Sequence, residues 1–309
     1  MKTTEKISQD LKLDRLYIEK ILSKSQYYYK DYFIQKSNGE KRRISQPSPE
    51  LKSFQYWVVK NILSKYKVSA SAFAYKKGDS IKKHAAFHLG SKYIFHTDIR
   101  NFFGSISPLL LINALKENDS PIKDMSIDID DFIYCVQKIC FRNNKLCIGS
   151  VSSPSISNIV MLSFDETIMD FCDENGLKYS RYADDIYISS EKYISIDLSG
   201  FISKQLLKLG LTMNKRKTWY CSSKNRQLIT GLTLTSDHKS ITIGKQYKNL
   251  IKKLIYNKLI HNTGDPLIIM GYLSYLKQVE PYAYNKLITK YSKYTSNDII
   301  KEIMNLKLN

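Results

Sequence analysis

Apolar positions along this chain alternate between the period of a helix and that of a strand. Residues 5–24 carry the helical period. Tyr28–Lys36 and Lys41–Gln46 read as extended runs, and Ser37-Asn38-Gly39-Glu40 between them carries the Asn-Gly signal of a hairpin. After Gln46-Pro47-Ser48-Pro49, residues Leu51, Phe54, Val58, Ile62 and Leu63 predict a helix over 50–65. Tyr93–Thr97 is a short strand that runs into Asp98. Helices are expected over 108–117 and 129–141. Ser153-Pro154 then offers an N-cap with Pro at the first helical position. Ile156, Val160, Phe164, Ile168 and Cys172 follow at four-residue spacing, which predicts one long helix. Lys178–Tyr182 and Ile186–Ser190 read as two strands around Ala183-Asp184-Asp185. A helix at 198–209 and strands near 217–222 and 227–235 complete the central part. Beyond it, Tyr247, Leu250, Ile251, Leu254, Ile255 and Leu259 form one apolar face beside Lys248, Lys252 and Lys253, and helices are expected at 266–279 and 281–293. The class is α+β, with no internal repeat and no long linker.

Composition narrows the partner. The 309 residues are 43% apolar and 25% charged, a globular balance. Lysine and arginine number 48 against 29 acids, a net charge of +19, which points to a polyanion and most simply to nucleic acid. An AT-rich coding bias accounts for the 23 tyrosines but not for the deficit of acids. The basic residues are dispersed, which disfavours a membrane surface as partner. No apolar run approaches the roughly 18 residues of a membrane span. Met1-Lys2-Thr3-Thr4-Glu5-Lys6 has no apolar stretch behind it, so a cytoplasmic protein without a secretory leader is expected. The five cysteines lack zinc-ligand spacing and suit reduced thiols.

Two acidic sites carry the candidate chemistry. Phe95-His96-Thr97-Asp98 puts an acid at the end of an apolar strand, and Tyr182-Ala183-Asp184-Asp185 puts two adjacent acids between strands. Neighbouring aspartates in apolar surroundings are costly because like charges repel and burial penalises each. A divalent cation removes that cost, and Mg²⁺ favours a few carboxylates plus phosphate oxygens. Three such acids could hold two ions about 3.5–4 Å apart, one activating a 3′-hydroxyl and the other holding a triphosphate. For the Asp184-Asp185 pair taken alone, a solvated turn is an equal alternative.

The set of motifs resembles the reverse transcriptases, and among them the retron type, over roughly residues 25–295. Tyr182-Ala183-Asp184-Asp185 is similar to the YxDD hairpin and Asp98 to the first palm aspartate, in the family's order. The resemblance implies a right-hand polymerase fold: an N-terminal helix and fingers over 1–92, palm over 93–235 with 104–150 partly fingers, and a small helical, RNA-binding thumb over 236–309. It implies that Asp98, Asp184 and Asp185 are catalytic and, with the Ile99 backbone, bind two Mg²⁺ ions. Phe103 matches the steric gate that excludes a ribonucleotide 2′-hydroxyl. Gly149-Ser150-Val151-Ser152-Ser153-Pro154 resembles the QGxPxSP loop, with Ile148 in place of Gln and Val151 in place of the first Pro; Gly149 and Ser153 are its nucleotide-site residues here. Lys41-Arg42-Arg43-Ile44 resembles the triphosphate-gripping fingers motif, with Arg43 as first choice and Arg42 as alternate. Planar guanidinium groups suit paired phosphate oxygens. Asn214-Lys215-Arg216-Lys217-Thr218 resembles NxxKT and assigns Lys217 to the leaving pyrophosphate.

Two further segments point to the retron branch. His84-Ala85-Ala86-Phe87-His88 is similar to NAxxH with His84 in place of Asn, and Ile229-Thr230-Gly231 is similar to VTG. That branch implies an RNA-directed DNA polymerase using dNTPs, with a cognate noncoding RNA and its DNA copy as partners. It implies a branched RNA–DNA product (msDNA) primed from a guanosine 2′-hydroxyl, a part in anti-phage defence, and an effector protein encoded apart. Tyr247, Lys248, Lys252 and Lys253 would then face RNA. A reverse transcriptase of another branch (group II intron-like or abortive-infection type) and an inactive RNA-binding scaffold are the alternatives.

Overall fold

A computed structural model describes residues 2–36, 39–117, 128–294 and 298–305. The chain divides into two compact units. The first comprises Met1–Asp79, Phe95–Ile188 and Ser195–Trp219; the second comprises Ser80–Ile94, Ser189–Ile194 and Tyr220–Asn309.

The first unit opens with two helices where the sequence predicts one over 5–24. α1 (Thr3–Leu11) ends because Lys12 turns left-handed at φ 54°, and α2 (Arg15–Ser23) restarts on Asp14, whose side chain accepts from the Tyr17 N–H. The hairpin forms as expected: β1 (Tyr29–Gln35) pairs antiparallel with β2 (Lys41–Pro47), from Tyr29 opposite Pro47 to Gln35 opposite Lys41. Of its turn, Ser37 and Asn38 lie outside the described residues; Gly39 takes the positive φ (83°) that glycine tolerates. α3 (Pro49–Asn61) starts on the Ser48 cap with Pro49 in its first turn and buries Leu51, Phe54, Trp57 and Val58. α7 (Ile129–Cys140) adds Phe132, Val136 and Ile139 to the core.

A four-stranded sheet carries the acids. Its strands are β3 (Tyr93–Asp98), β4 (Lys178–Tyr182), β5 (Asp185–Ser190) and β6 (Trp219–Ser222), in the order β4-β5-β3-β6. Short α5 (Phe102–Ser105) and α6 (Pro108–Glu117) follow β3. The helix predicted to run from Ser153 through Cys172 is two helices, α8 (Ser153–Val160) and α9 (Leu162–Glu174), separated at Met161 with ψ near 0°. Ser153 is not its N-cap. It is the first helical residue, and its hydroxyl donates to the Cys147 carbonyl instead. α10 (Leu198–Lys208) buries Leu198, Ile202 and Leu206.

The second unit holds α4 (Ile81–Phe87) and a small antiparallel sheet of β7 (Leu228–Ile229), β8 (Leu232–Leu234) and β9 (Ile241–Thr242). Four helices follow: α11 (Lys245–His261), α12 (Pro266–Val279), α13 (Pro281–Ser292) and α14 (Ile299–Asn305), the last not anticipated from the pattern. The apolar face of α11 is narrower than expected. Ile251 and Ile255 are buried, but Tyr247 is 42% and Leu250 37% exposed. Lys258 is buried in line with them because its ammonium reaches Asn262 Oδ1 at 2.9 Å. Among the described residues no helix is long and apolar enough to cross a membrane.

Candidate active site

The three acids lie on adjoining elements. Asp98 ends β3, and the next residue, Ile99, donates its N–H to the Asp184 carbonyl at 3.0 Å. The Tyr182-Ala183-Asp184-Asp185 segment is the tight link between β4 and β5, with Ala183 left-handed at φ 57°. Burial first, then the charges of Asp185 and Asp98, push the Asp184 carboxyl up to about 6. Asp184 therefore feels the like charges of both other acids.

Protein donors currently hold two of these carboxylates. Asp98, 4% exposed, accepts from Lys217 Nζ at 2.7 Å and from Asn214 Nδ2 at 2.8 Å, while its backbone carbonyl accepts from the Asn214 N–H at 2.7 Å. The hydrogen bond to Asp98 raises the pKa of Lys217 and keeps it cationic. Asp185 Oδ1 lies 2.9 Å from His96 Nε2, whose ring stacks on Trp219 with Nδ1 3.1 Å from the Lys217 carbonyl. Among the described residues no three acids, histidines or cysteines are gathered ready around a metal position. The fit to a divalent cation is chemical: an acidic cluster whose charge raises one of its own members, with the buried Ile99 backbone beside it.

A buried network fixes the hairpin. Arg181 in β4 and Asp165 in α9 are both fully buried and paired at 2.6 Å. The same guanidinium donates to the Ala183 carbonyl at 3.0 Å and to Asn158 Oδ1 at 3.2 Å, and Asp165 also accepts from the Tyr179 hydroxyl at 2.6 Å. The break at Met161 separates Asn158 from Asp165, and both reach this one side chain. A guanidinium out of water needs such a full set of acceptors.

Around the acids, Phe103 is half-buried on α5, stacked on Phe102 at 5.5 Å and 6.3 Å from the ring of Tyr75. On the hairpin, the two arginines differ. Arg43 is engaged by Asp31 at 2.6 Å, which also takes Arg142 at 2.6 Å, and this holds the Asp31 carboxyl far below its usual range. Arg42 is exposed, and its charge acts on the Tyr75 phenol. The geometry thus favours Arg42 over Arg43 as the cation open to a ligand.

The Gly149 loop is built tightly against β2. Ser45 donates its N–H to the Ile148 carbonyl at 2.8 Å, and Gly149 sits at φ 107°, where a Cβ would lie 2.9 Å from Ile44 Cγ2. Val151 uses an N–H that a proline lacks: it donates to Gln55 Oε1 at 3.1 Å, and buried Gln55 also bonds Tyr29 and the Ile139 carbonyl. Ser153 is buried, with its hydroxyl turned into the loop.

In the second unit, Lys248 is paired with Glu280 at 2.6 Å, and Glu280 also accepts from Thr242 and the Ile243 N–H. Tyr247 lies against Tyr272 and Tyr275. Lys252 and Lys253 are exposed. Sequence reasoning did not single out His96, Tyr75 or Arg181 for the site, and placed Asn214 in the NxxKT segment without giving it a role. For His96 a signal exists, since it follows the apolar run Tyr93-Ile94-Phe95 in its strand and a buried polar residue requires a partner.

Comparison with known proteins agrees with this geometry. The family model described as reverse transcriptase (RNA-dependent DNA polymerase) matches residues 34–250. The retron Ec83 reverse transcriptase of Escherichia coli is 32% identical over 290 residues, covering 89% of this chain and 90% of that protein. The retron Ec86 reverse transcriptase of the same species is 29% identical, covering 86% and 81%. Among solved structures, apo telomerase from Candida tropicalis superposes with a TM-score of 0.52 at 12% identity, and the same telomerase with a telomeric RNA fragment with 0.53 at 12%. This chain is covered to 89% and 90% and spans only 61% and 58% of those chains, so the likeness speaks for the fold, a right-hand polymerase of mixed helix and sheet. With the acids on adjoining elements and the motifs in order, the chain belongs to the reverse transcriptase family, the RNA-directed DNA polymerases, and groups with its retron members.

Proposed function

We propose that the protein copies part of a cognate structured noncoding RNA into DNA, primed from a guanosine 2′-hydroxyl of that RNA, and yields a branched RNA–DNA hybrid (msDNA). The observation that carries this reading is the placement of Asp98 beside the Asp184-Asp185 turn, with the Ile99 N–H bonded to the Asp184 carbonyl and the charges of Asp98 and Asp185 acting on Asp184, within a chain of retron likeness.

In this reading Asp98, Asp184, Asp185 and the Ile99 carbonyl hold two Mg²⁺ ions. When bound, the ions supply an activated primer hydroxyl and neutralise triphosphate charge. The chain's own residues do the rest. Asn214 keeps Asp98 oriented once Lys217 swings away from it, and the freed ammonium meets the leaving pyrophosphate. Arg42, with Arg43 behind it, grips the incoming dNTP phosphates, and Phe103 closes the space a 2′-hydroxyl would need. Gly149 and Ser153 shape the loop beside the nucleotide. Residues 1–92 act as fingers, 93–235 as palm and 236–309 as an RNA-binding thumb, where Tyr247, Lys248, Lys252 and Lys253 meet RNA backbone and 2′-hydroxyls. The setting is the cytoplasm, in anti-phage defence with a separately encoded effector.

The test is the nucleic acid that co-purifies with the protein from its native host. The expected material contains ribose and deoxyribose in one molecule joined through a 2′-linkage, with a DNA part that survives ribonuclease. Co-purified RNA alone, with no covalently attached DNA in a strain where the protein is active, would contradict the branched product.

A further inference from the structure

Tyr75 lies outside every motif singled out above, yet its backbone and its ring are both unusual. Its φ is 63°, a left-handed conformation that a bulky L-residue rarely adopts and that persists only where the surroundings impose it. The surroundings here are explicit. Phe73 donates its N–H to the Arg181 carbonyl at 2.8 Å, and Arg181 donates its own to the Ser71 carbonyl at 2.8 Å. Asn158 Nδ2 donates to the Ala74 carbonyl at 3.0 Å. Lys76 Nζ reaches back to the Ser69 carbonyl at 3.1 Å. Asn158 and Arg181 are the residues that also hold the Ala183 turn, so one buried network sets both the catalytic hairpin and the loop carrying Tyr75.

The constrained ring is not spent on the core. Tyr75 is 50% exposed, its ring 6.3 Å from that of Phe103 and tilted by 34°. The charges of Asp184 and of Arg42 both act on its phenol, the one an acid of the cluster and the other the cation assigned to the triphosphate. A half-exposed aromatic face held beside an acid cluster offers stacking area to a base or sugar at little conformational cost.

We propose that Tyr75 is a substrate-contacting residue whose ring, paired with that of Phe103, walls the site for the sugar and base of the incoming deoxynucleoside triphosphate. The proposal rests on the reading of Asp98, Asp184 and Asp185 as the polymerase acids, and it adds a specificity determinant to that site.

The experiment is steady-state primer extension by the full chain on a primed homopolymer RNA, with the matching dNTP and rNTP varied. Primer–template affinity is followed separately by fluorescence anisotropy. Tyr75→Ala should raise KM for the dNTP on the order of tenfold, the usual scale for losing one aromatic stack, while kcat changes far less. Tyr75→Phe should stay near wild type, because the ring is retained. Tyr75→Gly adopts φ 63° without the backbone strain that Ala would carry there, and should show the same KM rise as Tyr75→Ala. Unchanged dNTP KM in both Tyr75→Ala and Tyr75→Gly would overturn the proposal. So would a loss of primer–template affinity with dNTP KM intact, which would assign the ring to the template. An Asp184→Asn control separates the two levels. If it still extends primer, the reading of the acids fails; if it is dead while Tyr75→Gly keeps normal KM, only the role of Tyr75 fails.

Discussion

Replacing His84 with Asn should remove a specific acid sensitivity from the second unit. His84 is fully buried in α4, with Nδ1 3.1 Å from the Thr230 hydroxyl. Burial lowers its pKa to about 3, against about 6.5 for an exposed imidazole. The folded state therefore keeps the ring neutral where the unfolded chain takes up a proton, and stability falls as pH drops from about 6.5 toward 3. Linkage gives a loss of about 2 kcal/mol at pH 5 relative to pH 7.5, rising to about 5 kcal/mol below pH 3. Asn carries no titrating group, so His84→Asn should lack this component while other pH effects stay common to both proteins. The assay is urea unfolding of wild type and variant at pH 7.5 and pH 5, compared as a difference of differences. A stability gap between the two proteins that is the same at both pH values would refute the reasoning.

Further outcomes follow from the site. Phe103→Ala should relax discrimination against rNTPs, read as the ratio of kcat/KM for dNTP and rNTP; an unchanged ratio removes the gate role. Arg42→Ala should raise KM for dNTP by about tenfold, the scale of one charge-assisted contact, whereas Arg43→Ala should act mainly on stability through Asp31. Equal KM effects from both would contradict the different partners of the two arginines. Lys252→Ala plus Lys253→Ala should flatten the salt dependence of RNA binding by up to about 0.7–0.9 per lost phosphate contact, and Lys248→Ala by less because Glu280 already engages it. A larger effect from Lys248 alone would reverse that ranking.

Much of the fold was legible locally. The Asn-Gly hairpin, the strand ending at Asp98 and helices such as Pro266–Val279 follow from period and punctuation. Breaks inside periodic runs were not. The apolar spacing continues across both Lys12 and Met161, while the backbone there departs from the helix, so pattern alone joins what the structure divides. Lys258 shows the converse, a charged residue at a buried position made tolerable by Asn262.

The acids of the site could be named because their motifs are contiguous and ordered. The pairings of their supporting residues could not, because support comes from contacts across long stretches of chain. His96 meets Asp185, Asn214 meets Asp98, and Arg181 gathers Asp165, Asn158 and the Ala183 carbonyl. The loop variation at Val151 is intelligible only in three dimensions, where its N–H has a partner in Gln55.

The central claim is that Asp98, Asp184 and Asp185 act together to join nucleotides. Its most direct measurement is primer extension on a primed RNA with Mg²⁺ and dNTPs by an Asp184→Asn plus Asp185→Asn variant, with RNA affinity measured on the same preparation. The account predicts wild-type RNA binding and no extension. Extension at the wild-type rate would contradict it.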